Sequence, residues 1–306
     1  MSSMRVALLV PAPDYPEPYA WTYDVEAAIL GKIGIEVAPV AWTEVGEVDG
    51  FDLILPLVAW GYNRDYPRWL ALLKRAEVER WPLLNPPALL RWNGDKTYLR
   101  ELGAKGIPTV TTIEVGALNA RSLGAAAAKL GAVDLVIKPP ISGGAFGTYR
   151  LRADDPIPDD VAGQRMMIQT FQPTITAGEW SIILFGGKFS HAVIKTPAAG
   201  EFRVQPHLGG IDQYAVPPHG AVALAKAALA AAPAPALYAR VDMIANAAGK
   251  LKIMELELIE PALFLHHASD KGVAFASAVR TAAAAAARKE LLAAGRLETA
   301  WSYRSR

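Results

Sequence analysis

The stretch "LYARVDMIANAAGKLKIMELELIEP", Leu237 to Pro261, holds two apolar runs around a short polar turn, and each run carries charge at alternate positions. Successive side chains of a strand point to opposite faces, so Tyr238, Arg240 and Asp242 share one face and Ala239, Val241 and Met243 the other. In the second run Glu255 and Glu257 share a face. If "NAAGK" closes a hairpin, the face bearing Asp242 lies beside the one bearing both glutamates. Three carboxylates on one sheet surface repel one another unless a cation sits among them. Oxygen donors with no His or Cys suit Mg²⁺ or Mn²⁺, and a carboxylate-held Mg²⁺ commonly also holds substrate phosphates. The plain alternative is the wet face of an edge hairpin. Strands are depleted in Glu and Asp, which favours the metal.

Upstream, "DLVIKPPISGGAFGTYRL" (Asp134–Leu151) ends an apolar strand in Lys138 and then clusters Gly143, Gly144 and Gly147. Glycines let backbone amides point together into a concavity that accepts phosphate oxygens. It is not a P-loop, because no Gly-Lys-Ser/Thr follows. Alone, such a cluster is more often a flexible turn. With a lysine before it and the carboxylates after it, the phosphate reading gains the upper hand, since a polyphosphate needs cations on both sides.

The chain has 306 residues, 52% of them hydrophobic, enough for a large core in two or three units. Lys plus Arg (31) balances Asp plus Glu (30), so no basic footprint marks nucleic acid or an anionic membrane as partner. No cysteine is present, which excludes disulfides, thiolate nucleophiles and zinc–thiolate sites and fits a cytoplasmic protein. The opening "MSSMRVALLVPAP" reads as a first strand, its apolar run being short for a secretory leader. The Ala-rich stretches are interrupted well before the roughly 18 apolar residues of a membrane helix, so a soluble protein is expected.

Strands over Met4–Val10, Gly34–Ala41 and Phe51–Val58, with a helix over Thr22–Lys32, predict a parallel α/β unit. After Asn85-Pro86-Pro87 one helix is expected up to the Gly103 region; further helices are expected over Ala120–Leu130, Val222–Ala232 and Ala274–Ala294, with strands and hairpins between them and 200–210 as a loop. His266 and His267 read as ordinary residues, because adjacent side chains diverge on helix or strand alike.

In order and spacing these motifs resemble the ATP-grasp ligases with a glutathione-synthetase-type nucleotide domain, in particular the D-cycloserine ligase-like branch. The resemblance runs from "NPPALLRWNGDKTYL" to "MELELIEP" and extends to "PLVAWGYNRDYPRWL". It implies an α/β ATP-grasp architecture: an N-terminal parallel domain (1–91), a small lobe with the glycine flap (92–172) and a large lobe with the metal site and C-terminal helices (173–306), the last two built mainly of antiparallel sheets. By position, Lys96 in "WNGDK" and Lys138 in "VIKP" match the nucleotide lysines, and Gly143, Gly144 and Gly147 the flap over the phosphates. Gln169, Thr170 and Phe171 match the hinge that meets adenine through its backbone, and Glu179 the acid at the ribose hydroxyls. Arg203 and Arg240 match cations around the transferred phosphoryl and the acyl intermediate; Asp242, Glu255 and Glu257 match the Mg²⁺ ligands. Many members of the family have Asn where Glu257 stands, so Glu260 is a second candidate to complete the metal site.

The activity implied is ATP- and Mg²⁺-dependent ligation of a small carboxylate to an amine-like nucleophile through an acyl phosphate, either between molecules or as a ring closure. The partner is then a small-molecule substrate, and a homodimer is compatible with the resemblance. A small-molecule kinase on the same fold, or a nucleotide-binding protein without catalysis, are the competing expectations. Retention of both lysines and all three carboxylates speaks against lost catalysis.

Overall fold

Strand and helix alternate from the start: β1 (Met4–Val10), α1 (Ala20–Gly31), β2 (Ile35–Ala41) and β3 (Leu53–Leu55). They form a parallel sheet in the order β2-β1-β3, and the computed structural model describes residues 4–293 of the chain. The third strand is shorter than expected because Pro56 has no N–H to continue the ladder and the Phe51 N–H turns back to the Val48 carbonyl. Helix α2 (Tyr66–Val78) starts at Asp65, whose carboxylate accepts the Arg68 N–H at 3.2 Å, and buries Trp69, Leu73 and Ala76.

The single helix expected after Asn85 is two, α3 (Pro87–Asn93) and α4 (Tyr98–Ala104). Between them Asp95 accepts hydrogen bonds from the Thr97 N–H and hydroxyl at 3.0 and 2.8 Å. That local bonding competes with the helical ladder and breaks it. Next come β4 (Thr112–Val115), α5 (Ala120–Leu130), β5 (Asp134–Lys138), β6 (Tyr149–Arg152) and β7 (Met166–Thr170), with the four strands in an antiparallel sheet of order β4-β7-β5-β6.

The largest sheet contains β8 (Glu179–Phe185), β9 (Lys188–Thr196), β10 (Ile211–Tyr214), β11 (Tyr238–Ala245) and β12 (Leu251–Glu257), ordered β10-β9-β8-β11-β12 and antiparallel throughout. Strand β10 carries no alternating pattern to reveal it, since Ile211 and Tyr214 on this edge are both exposed. Helix α6 (Ala221–Ala230) packs on one face with Ile182, Leu184, Val241 and Met243. Ile183, Phe185 and Tyr238 on the other face join the core of the parallel sheet and helix α7 (Val273–Ala293). Residue 294, the end of the expected C-terminal helix, lies outside the described residues. Among the described residues, no helix is long and apolar enough to cross a membrane.

Candidate active site

The β11–β12 hairpin brings the predicted acids together by a route that simple alternation does not supply. The turn sets Ala245 opposite Leu251 and Met243 opposite Ile253. Continued regularly, this register would face Asp242 with Met254 and turn both glutamates to the opposite side. A bulge between Asp242 and Met243 inserts Met254, so Glu255 pairs with Asp242 and Glu257 with Arg240. Strand β12 is a sheet edge, yet its backbone is engaged: the Tyr98 hydroxyl donates to the Leu256 carbonyl (2.9 Å) and accepts the Leu256 N–H (2.7 Å). Asn93 bonds the Leu256 carbonyl and the Leu258 N–H at 2.8 and 2.9 Å, and Asn85 links the Tyr238 and Leu258 carbonyls at 3.0 and 2.7 Å. Helices α3 and α4 thus act as a substitute neighbouring strand and fix the acids in place.

Asp242 is buried and saturated. It accepts from Ser181 Oγ at 2.5 Å, Lys195 Nζ at 2.9 Å and Arg240 Nε and Nη2 at 3.0 Å each. Burial alone would raise its pKa; Arg240 and Lys195 outweigh that and hold the carboxyl well below the usual range. Arg240 also contacts Glu257, and Lys96 Nζ stands 3.3 Å from Glu255 Oε1. Burial pushes Glu257 up to about 7 against the pull of Arg240, and the charges of Asp242 and Glu255 push the same way. Burial, then the charge of Glu257, pushes Glu260 up to about 8. Glu260 has no hydrogen bond or ion pair among the described residues. An acidic group in excess of its cations, with oxygen donors throughout, has the chemistry that binds a hard divalent ion. In donor chemistry the residues fit Mg²⁺, with Asp242 exchanging its bond from Lys195 or Arg240 for the ion.

Facing these acids, Lys138 is 9% exposed and has neither hydrogen bond nor ion pair among the described residues. Burial lowers its pKa against the pull of Glu255, and Lys96 lowers it further. Next to it, Gly144, Ala145 and Gly147 take φ of +59°, +62° and +64°. The N–H groups of Gly143, Gly144, Ala145 and Gly147 have no partner among the described residues, while Phe146 and Thr148 close the turn onto the Gly143 and Ala145 carbonyls. Successive unpaired N–H groups in a turn of this kind can form an anion-binding concavity. Lys96 is tied to the same loop through the Ser142 carbonyl.

Other predicted residues lie differently. Gln169 is buried and donates to Thr112 Oγ1 at 2.8 Å; Thr170 accepts at its carbonyl from Gln172 Nε2, and the Phe171 N–H is engaged by the Asp134 carbonyl. Glu179 is buried against Lys195, beside Asp242. Arg203 stands apart from the acids: Glu201 holds it in a bidentate pair at 3.1 and 2.7 Å, which lowers the Glu201 pKa to about 2.

One curated relative is similar to this chain nearly end to end. The cycloserine biosynthesis protein DcsG of Streptomyces lavendulae is 30% identical over 308 residues, spanning 90% of this chain and 97% of that protein. The chain belongs to the D-cycloserine synthetase family of ATP-grasp ligases. The family described as D-cycloserine synthetase DcsG, N-terminal domain, matches residues 6–85. The crystal structure of D-cycloserine synthetase DcsG superposes with a TM-score of 0.77 at 25% identity, over 93% of this chain and 99% of that one. D-alanine–D-alanine ligase from Bacillus anthracis shares the fold, with a TM-score of 0.70 at 19% identity over 94% of this chain and 98% of that one. The glutathione synthetase of Ralstonia nicotianae is 29% identical over 169 residues, 53% of this chain and 50% of that protein.

In this ligase Lys195, near the acids, escaped sequence reasoning, whereas Tyr62, which follows the third strand of the parallel unit, is expected from the sequence at the ligand crevice. Lys195, next to last in β9, lies on a strand that reads as an ordinary hairpin arm; a lysine two residues before Pro197 gives no local signal. Tyr62, from the N-terminal unit, is buried within the electrostatic reach of Glu260, Glu255 and Glu257, which add to burial in raising its pKa.

Proposed function

We propose that the ligase binds ATP with Mg²⁺ between the glycine turn and the β11–β12 hairpin, phosphorylates the carboxylate of a small amino acid and closes a ring on it. D-cycloserine, opened at its amide, is a D-amino acid with an aminooxy group on its β-carbon, and a molecule of that class is the substrate proposed. Its carboxylate oxygen bonds the γ-phosphorus as the bond to ADP breaks. The aminooxy nitrogen then attacks the acyl carbon, phosphate leaves and the nitrogen sheds one proton. Lys96, Lys138 and the amides around Gly143, Gly144 and Gly147 take the phosphates, and the Gln169–Phe171 segment meets the adenine. Arg240 faces the charge that develops on the acyl oxygen. Asp242, Glu255 and Glu257 would hold Mg²⁺, with Glu260 free to complete the set; the ion supplies charge neutralisation on the transferred phosphoryl group.

One observation carries this reading: Lys138 is a buried cation without an anion, beside free amides and opposite a surplus of carboxylates. Burying an unpaired ammonium is costly unless a ligand supplies the counter-charge. The test supplies ring-opened cycloserine, ATP and Mg²⁺ to the purified protein and follows ADP, phosphate and the cyclised product by mass spectrometry. Equal amounts of all three are expected. A stable phosphorylated substrate without free phosphate would make it a kinase, and turnover only when a separate amine is added would make it an intermolecular ligase.

A further inference from the structure

His266 and His267, expected to diverge, converge in the structure. They occupy a short 3-10 turn, Leu265–His267, entered through Phe264 at φ +48°, and their rings lie 4.1 Å apart. Both Nε2 atoms approach a single oxygen: Asp212 Oδ1 is 3.4 Å from His266 and 2.7 Å from His267. One donor atom from each of the three residues lies within 4.8 Å of the others. First-row dications bind imidazole nitrogen and carboxylate oxygen at about 2.0–2.1 Å, which separates neighbouring ligand atoms by about 3.0–3.4 Å. The His266–Asp212 spacing already has that value, and the His267–Asp212 spacing reaches it by opening a few tenths of an ångström.

The cluster stands on the working face of the large sheet. Asp212 on β10 pairs directly with Lys195 on β9, and directly opposed residues of neighbouring strands share a face. Lys195 in turn bonds Asp242. Asp212 and Asp242 are three strands apart in the sheet, about 14 Å at the usual spacing, so the two groups cannot share an ion. The edge position leaves the donors reachable: the side chains of Asp212, His267 and His266 are 23%, 21% and 63% exposed.

We propose that Asp212, His266 and His267 form a second cation site, selective for an imidazole-preferring transition-metal dication such as Zn²⁺ and separate from the oxygen-only Mg²⁺ site. Two nitrogens and one carboxylate give softer donors than the Asp242 group, so Mg²⁺ competes poorly there. Three protein ligands leave one coordination position open to a substrate or solvent atom.

The test uses the full-length, tag-free protein in excess Mg²⁺, with Zn²⁺ followed by equilibrium dialysis and Co²⁺ by its visible absorption. One tight equivalent of Zn²⁺ is expected, with a low-symmetry Co²⁺ spectrum. Asp212→Asn or His267→Ala should weaken binding at least about tenfold, as losing even an outer-shell partner does. His266→Ala, at the most exposed of the three, should do the same without disturbing the fold, as checked by circular dichroism. Asp242→Asn should leave Zn²⁺ binding unchanged. Absence of saturable binding in excess Mg²⁺ would overturn the assignment. So would binding that disappears in Asp242→Asn and survives in the Asp212 and His variants.

Discussion

Lys138 and Glu26 are both buried, and physics treats them oppositely. Lys138 closes β5 beside the glycine turn, where a phosphate satisfies it. A charge-assisted hydrogen bond is worth about 1.5–3 kcal/mol, so Lys138→Ala should weaken ATP binding at least about tenfold in a calorimetric titration. An unaltered affinity would remove the phosphate role. Glu26, in α1, is 2% exposed, and its Oε2 atom has no partner. Burial pushes its pKa up to about 8. The folded state therefore holds a proton that the unfolded chain releases from about pH 4.5 upward. Stability is greatest below that pH and is lost progressively as the pH rises through 8. Glu26→Gln keeps the shape and removes the titration. It should unfold at higher urea than the parent at pH 9, by at least about 1 kcal/mol, each tenfold difference in proton affinity being worth about 1.4. The gap should close at pH 4; a constant gap across pH would point to packing instead.

At the scale of elements, the informative unit is β12 with its side-chain neighbours. Tyr98→Phe removes one hydroxyl and leaves the buried Leu256 N–H without its partner, while the Leu256 carbonyl keeps only Asn93. A loss of about 1–3 kcal/mol is expected in denaturant unfolding. Glu255 and Glu257 flank Leu256, so kcat should fall as well, with the KM for ATP less affected because Lys138 and the glycine turn sit on another sheet. A variant as stable and as active as the parent would show that the edge needs no support. The sequence told of the acidic hairpin but not of this support. Alternation in "KIMELELIEP" is local, whereas Asn85, Asn93 and Tyr98 lie more than 150 positions away from their partners. The bulge at Met254 was equally silent, since an added residue leaves each half of a strand with its own regular period.

On the scale of the molecule, the site forms where three sheets meet, and the glycine turn is its exposed wall. Asn63 of the N-terminal unit approaches Gly143, and His207 of the 200–210 loop approaches Gly144. Phe146 at the tip is 72% exposed, a ready target for chymotrypsin. A nonhydrolysable ATP analogue with Mg²⁺ should slow cleavage after Phe146 several-fold by drawing the turn onto the phosphates, and the analogue without Mg²⁺ should protect less. Cleavage at one rate under all conditions would mean that the turn does not cover the nucleotide. The chain by itself determined the parallel N-terminal unit, the carboxylate-bearing hairpin and the lysine followed by glycines. Each is written within one short stretch of chain, the range over which periodicity and backbone preference act. Only the tertiary structure decided that Lys195 would neutralise Asp242 and that two adjacent histidines would meet Asp212. Those outcomes depend on which distant segments share a surface, and charge finds its partner across space rather than along the chain.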